Sequence, residues 1–181
     1  MKTLLASIAI FFFSSVAVAG SQPSTPSQVV KDFYSWEINV AKTGTQSEQN
    51  LVPVKKLLAP EFYQLLLKVY KVEQQCIKNA AKDEKPDMLD GNIFQREVEG
   101  ASGFSTITQK LNGNTAVVQI NLFYFGRNEN KTYKWVDSVK LRKQKDAWLI
   151  VDIIHDNKRT VVGDLTEYSK VVCRPAVTQS K

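Results

Sequence analysis

The residue of this sequence with the clearest chemical potential is an aspartate in an apolar row. The alternating pattern over 132–143 predicts a β-strand, on which Asp137 shares one face with Tyr133, Trp135, Val139 and Leu141. A carboxylate in such a row is costly unless it is paired, hydrogen-bonded or neutralised. Burial would raise its pKa and suit it to act as an acid or a base in a pocket. The commoner arrangement is a carboxylate that is paired with Lys or Arg, or that reaches water at a strand bend.

Four neighbouring side chains complete a set of ligand-binding candidates with Asp137. Gln119 and Asn121 lie on a second predicted strand, 115–125, on the same side as Val117, Phe123 and Phe125. They are either polar groups inside a pocket or the solvent-facing half of that strand. Tyr133 and Trp135, with Tyr124 and Phe125, either form an exposed binding patch or pack between a sheet and helices, as aromatic clusters more often do.

His155 is the only histidine of the chain, and it follows Asp152 by three residues at the end of a predicted strand, 147–155. Strict alternation places Asp152 on the face of Trp148 and Ile150, and His155 on the opposite face. The two cannot form an acid–base pair without a β-bulge. We therefore expect His155 to be solvated at a strand end.

No recognisable cofactor motif accompanies these residues. With one histidine and two cysteines, the sequence offers too few ligands for an ordinary zinc site. It also lacks a glycine-rich phosphate loop and a nucleophile elbow. We predict no cofactor and no metal, and we identify no catalytic residue beyond the candidate Asp137.

Residues 1–19 have the pattern of a secretory signal peptide. Lys2 precedes an apolar run over 4–13, and Ala17-Val18-Ala19 forms a small-x-small cleavage site. The apolar run is too short to span a bilayer, and the signal region contains no cysteine that could carry a lipid. We expect cleavage after Ala19 and a periplasmic or secreted protein without a membrane span or a lipid anchor.

The two cysteines, Cys76 and Cys173, are predicted to form a disulfide, because an oxidising compartment favours pairing and neither lies in a C-x-x-C motif. In the chain-entropy model, a bridge over a loop of this length contributes about 4–5 kcal/mol. The formal net charge is +6, and the densest basic segment, 140–145, alternates with uncharged residues like the solvated face of a strand. Nucleic acid is therefore not an expected partner.

The predicted elements are helices followed by an antiparallel meander. After a flexible leader, 20–25, Thr25 and Pro26 begin a helix that ends by Gly44. A short helical segment over 54–58 and a longer helix over 60–80 follow, and 82–103 is a long irregular segment of the kind that covers or forms a site. The predicted strands are 104–111, 115–125, 132–143 and 147–155. Residues 161–167 either form a last helix or extend the sheet, and a tail, 176–181, follows a single α+β domain over 26–175.

Three segments resemble the nuclear-transport-factor-2-like superfamily over residues 26–156. They are the helix 29–34, the run of long paired strands, and the closing strand 146–153, which contains Trp148. Within the superfamily the chain is most similar to bacterial exported proteins and lipoproteins whose domain has no assigned function; residues 89–95 resemble the loop before their sheet. The resemblance implies a cone-like, cystatin-like fold in which helices pack on a curved sheet around a pocket. Some members are isomerases or dehydratases, whereas many only bind ligands or proteins.

These observations predict an exported, non-enzymatic binding module for a small ligand or an envelope protein. One alternative is an isomerase-like or dehydratase-like pocket enzyme that uses Asp137 as acid or base. Another is an immunity factor against a secreted toxin, which no residue specifically supports. A homodimer is also left open.

Overall fold

The computed structural model describes residues 24–40, 45–81, 85–89, 91–95, 100–126, 130–155 and 158–173. The predicted signal peptide, leader residues 20–23 and the predicted tail lie outside the described residues. Within the described ranges, no helix has both the length and the apolar character needed to cross a membrane.

Among the described residues, three α-helices and one 3₁₀ helix precede the sheet, and one α-helix follows it. Helix α1 is Pro26–Val40, α2 is Glu48–Leu51, a 3₁₀ helix covers Val52–Leu57, α3 is Pro60–Asn79 and α4 is Val161–Tyr168. The predicted start of α1 is confirmed, because the Thr25 hydroxyl accepts from the Gln28 backbone N–H at 3.2 Å. At the other end of the chain, the helical alternative holds: the Thr160 hydroxyl caps α4 by accepting from the Gly163 N–H.

Four strands form one antiparallel sheet in chain order: β1 (Gly103–Asn112), β2 (Thr115–Gly126), β3 (Lys131–Gln144) and β4 (Ala147–Ile154). Each predicted strand is confirmed to within one residue at both ends. The positive φ of Gly113, 56°, fits the tight turn that Asn112 and Gly113 predict between β1 and β2.

The sheet carries two β-bulges. Thr106 and Thr108 pair with neighbouring residues of β2, which leaves Ile107 as an extra residue in β1. In β4, Ile150 pairs with Leu141 and Asp152 with Lys140, so Val151 is extra. A bulge bends its strand and increases its twist, which suits a curved sheet.

The helices cover one face of the sheet, here called the inner face. Its fully buried residues on β2 include Val118, Ile120 and Leu122, and they pack with buried residues of α1, the 3₁₀ helix, α3 and α4 in one apolar core. Along β2 and β3, the alternate residues form the outer face, which carries the exposed polar side chains. The α+β arrangement of helices on a curved antiparallel sheet is therefore confirmed.

The predicted disulfide is present. Cys76, buried near the end of α3, is bonded to Cys173, with an S–S distance of 1.98 Å and a Cα–Cα distance of 4.8 Å. The bridge joins two residues 97 positions apart and fixes the segment after α4 against α3.

Candidate functional site

The centre of the candidate site is a contact between Asp137 and His155. Asp137 is completely buried on the inner face of β3, and its Oδ1 lies 3.1 Å from Nδ1 of His155. Since Ser138 pairs with Ile154, the next residues along the two strands, Asp137 and His155, stand opposite each other across the sheet. The backbone register thus places the carboxylate and the imidazole in direct contact.

The expectation that His155 is a solvated strand-end residue is wrong. Only 7% of its surface is exposed. The reason is the bulge at Val151: one extra residue shifts the alternation of β4, so that Ile153 and His155 point inward after Ile150. Asp152 takes the outward position, where its Oδ1 accepts from the Val162 N–H at 3.1 Å at the start of α4.

A second carboxylate approaches Asp137 from the helix layer. Glu37 of α1 is completely buried, and its two oxygens accept hydrogen bonds from the side-chain amides of Asn92 and Gln95. Burial raises the pKa of Glu37 to about 7; the two amide hydrogen bonds oppose this rise, and the charge of Asp137 adds to it. Glu37 can therefore gain or lose a proton near neutral pH.

Tyr34 lies one helical turn before Glu37 and is also fully buried. Burial raises its pKa well above the usual range of a phenol, and the charges of Asp137 and Glu37 raise it further, so its hydroxyl keeps its proton. Among the described residues nothing accepts a hydrogen bond from this hydroxyl, or from Nε1 of the buried Trp135. The interior thus has two buried donor groups with unused hydrogen-bonding capacity, one on α1 and one on β3.

The Asp137–His155 contact has a defined chemical capacity. An ionised carboxylate can only accept a hydrogen bond, so Nδ1 must carry the proton when Asp137 is charged. In a neutral imidazole, Nε2 is then the acceptor, and it can take a proton from another molecule. A histidine oriented in this way by a carboxylate has the properties of a general base.

Residues 92–95 of the predicted 82–103 segment pack against α1. Phe94 is buried and contacts Phe33 edge-on, with ring centroids 5.3 Å apart. Asn92 uses its side-chain oxygen to accept from the Phe94 N–H at 2.9 Å and its amide to reach Glu37. Asn92 and Gln95 therefore fix the orientation of Glu37.

A third buried carboxylate, Glu73 of α3, lies outside this site and accepts hydrogen bonds from loop residues. It accepts from the Leu89 backbone N–H at 3.2 Å and from the Thr45 hydroxyl. Nearby, the Tyr168 hydroxyl donates to the backbone oxygen of Asp87 at 2.7 Å, and burial, with the charges of Glu73 and Asp87, raises its pKa to about 12. These contacts hold loop segments against α3 and α4.

The structure separates the five predicted ligand-binding candidates. Trp135 and Asp137 are buried together on the inner face. Tyr133 shares that face but lies near the hairpin end of β3, where it is 37% exposed and stacks with Tyr124 at 6.5 Å. Gln119 and Asn121 lie on the outer face, because alternation on β2 directs Val118, Ile120 and Leu122 inward. Of the two alternatives for Gln119 and Asn121, they belong to the outward half of the strand and do not share a face with Asp137.

Two residues of the candidate site, Tyr34 and Glu37, were not predicted from the sequence. Both lie in the buried stripe of α1, in which Val30 and Phe33 also pack into the core. The available signal was the charge of Glu37 at position i+4 from Phe33, inside an apolar helix face.

Within the described ranges, no group of three or more His, Cys, Asp or Glu side chains is arranged to hold a metal ion. Comparison with known proteins adds no functional assignment: no family model and no curated protein matches the chain. The function must therefore be inferred from the chemistry of the site itself.

Proposed function

We propose that this chain is an exported protein of the nuclear-transport-factor-2-like superfamily that binds a small ligand between α1 and the inner face of its sheet. The helices on a curved four-stranded sheet support this fold assignment. The disulfide suits an oxidising compartment, as the signal-peptide pattern of residues 1–19 also does.

The observation that carries the binding proposal is a pair of buried donors that have no acceptor among the described residues. A buried N–H or O–H group without a partner costs about 1–3 kcal/mol, so native interiors seldom keep one without a bound water or ligand. Tyr34 presents such a group on α1, and Trp135 presents one on β3, the strand that also holds Asp137. A ligand with oxygens that accept hydrogen bonds, such as carbonyl oxygens, would satisfy these groups.

Native mass spectrometry of the exported, disulfide-bonded protein tests this proposal. We expect a small molecule to co-purify with the wild-type chain and to be lost from Tyr34→Phe and Trp135→Phe. Tyr133→Phe is the matched control, because it also removes an aromatic hydroxyl, but from a partly exposed position. A wild-type protein without ligand, or equal retention in all variants, would refute the proposal.

The Asp137–His155 contact favours a second candidate function, acid–base catalysis on the bound ligand. His155 would remove a proton through Nε2, and Asp137 would hold the ring and stabilise the imidazolium that forms. Glu37, with a pKa of about 7, is a further proton-exchanging group in the same interior.

Proton exchange into a small-molecule extract in D₂O separates catalysis from binding. A catalytic site should transfer deuterium to at least one metabolite, and Asp137→Asn and His155→Gln should abolish the transfer while ligand binding persists. If binding occurs and the wild-type protein transfers no deuterium, the chain is a binding module alone.

A further inference from the structure

The outer face of the sheet carries charged side chains that take no part in the interior site. It carries three exposed lysines, Lys110 of β1 and Lys134 and Lys140 of β3. Lys110 pairs with Val117 in the sheet, and Val117 pairs with Lys140, so the two lysines lie in one row across three strands. At a strand spacing of about 4.8 Å, their Cα atoms are roughly 10 Å apart.

Within the described part of the chain, no carboxylate neutralises these three lysines. None of them forms an ion pair with a carboxylate among the residues that the structure describes. Asp152 pairs with Lys140 in the sheet, but its Oδ1 accepts from the backbone N–H groups of Ile153 and Val162. Arg142 differs, because it is bound to Glu61 at 2.7 Å. The positive charge of the lysines is therefore available to a partner.

Two phenylalanines lie at the other end of the same face. Phe123 and Phe125 of β2 are 37% and 44% exposed. The Phe123 ring occupies the space beside Gly103, where a Cβ atom would come within 2.3 Å of it, so the ring is held against the sheet. Lys134 pairs with Phe123 across the strands. One side of a fixed aromatic ring is thus presented beside a cation.

Hydroxyl and amide side chains fill the area between the lysine row and the phenylalanines: Ser105, Thr108, Gln119, Asn121 and Ser138. Thr108 and Gln119 are bonded to each other at 2.9 Å. From Val117 to Phe125 the face extends for about 27 Å along β2, at about 3.4 Å per residue. The surface is long, polar and positively charged, with aromatic rings at one end.

We propose that this outer face binds an extended acidic polysaccharide. Carboxylate groups of the polymer would contact Lys110, Lys134 and Lys140, its hydroxyls would bond to the central polar side chains, and a sugar ring would lie on Phe123 or Phe125. The proposal depends on none of the interior residues, so it stands or falls separately from the proposed function.

Other anionic partners fit this face less well. Duplex DNA carries a charge about every 1.7 Å, far denser than three lysines over this length can match. Binding to a bilayer surface needs apolar side chains that enter the lipid, whereas Phe123 lies against the sheet. A tight protein interface is usually centred on a deep pocket for an anchor residue, whereas this face offers rows of polar side chains.

Titration calorimetry of the full chain with polygalacturonate oligosaccharides, at low and physiological salt, tests the proposal. We expect binding that weakens as salt rises, and no binding of neutral dextran. The triple variant Lys110→Gln, Lys134→Gln and Lys140→Gln should bind roughly 100-fold more weakly. Phe125→Ser should also weaken binding without any change of charge.

The matched control is Lys31→Gln, Lys71→Gln and Lys78→Gln, which removes the same charge from exposed positions on α1 and α3. It should keep wild-type affinity. An equal loss in this control would show that only net charge matters and would overturn the proposal, as would an absence of polygalacturonate binding. Tighter, outer-face-dependent binding to phosphatidylglycerol vesicles or to poly-glutamate would overturn it in favour of a membrane or an acidic protein.

Discussion

The two faces of β3 differ in the environment of their charged side chains. Asp137 points inward, where it is completely buried against His155, whereas Lys134 and Lys140 point outward and are exposed. Burying a charged group costs several kcal/mol before its partner offsets the cost, whereas a solvated lysine costs almost nothing. The inner charges therefore affect both stability and chemistry, and the outer charges affect only which partners the protein binds. Four predictions test this difference.

The largest effect is expected from His155→Ala, which leaves Asp137 buried without the imidazole. The free energy of unfolding, from urea denaturation at pH 7, should fall by about 3–5 kcal/mol. The double variant Asp137→Leu with His155→Leu should recover much of that loss, since it removes the buried charge as well. A double variant that is less stable than His155→Ala would contradict this account of the inner face.

Removal of the disulfide should lower stability without affecting the inner site. Cys76→Ala with Cys173→Ala should reduce the free energy of unfolding by about 2–5 kcal/mol, mainly because the unfolded chain gains freedom. The bridge joins α3 to the segment after α4, so the NMR chemical shifts of the His155 ring at pH 7 should stay the same. A change in these chemical shifts would mean that the disulfide also positions the site.

Glu37 should make stability depend on pH. Because its folded pKa is raised from 4.5 to about 7, the native state holds a proton between these values that the unfolded state releases. The contribution of Glu37 to the free energy of unfolding should therefore be fully present below about pH 4.5 and be lost as the pH rises to about 7. Glu37→Gln should flatten this dependence by an amount on the order of 3 kcal/mol. Denaturation curves of the two proteins that change in parallel from pH 4.5 to 8 would refute the assignment.

The smallest effect is expected on the outer face. Lys134→Ala and Lys140→Ala should each change the free energy of unfolding by no more than about 0.5 kcal/mol, because neither side chain is buried. Thermal unfolding at two salt concentrations is a sufficient measurement. A loss above about 1 kcal/mol would show that these lysines support the fold, and the contrast between the two faces would fail.

The sequence was sufficient to predict the strands and the inner position of Asp137. Period-two alternation over 132–143 is long and regular, and turn residues such as Asn112 and Gly113 limit the strand ends. The disulfide followed from the count of cysteines and the expected compartment. These features depend on local sequence, so they could be inferred without knowing which elements pack together.

The partners of Asp137 could not be predicted in the same way. His155 faces inward only because Val151 is an extra residue, and a bulge leaves no clear mark in a strand pattern. Glu37 and Tyr34 reach the site through the packing of α1 on the sheet, a long-range contact that helical periodicity does not specify. Gln119 and Asn121 were grouped with Asp137 because alternation defines two faces of β2 but does not tell which face the helices cover.

The extra residue Val151 sets which residue of β4 stands opposite Asp137. With Val151 left out of the pairing, that residue is His155; if Val151 paired with Lys140, it would be Ile154. Deleting Val151 would remove the bulge and straighten the strand, while every later residue would keep its present face. Curvature and chemistry are thus separable in this strand by changing its length, without changing any residue of the site.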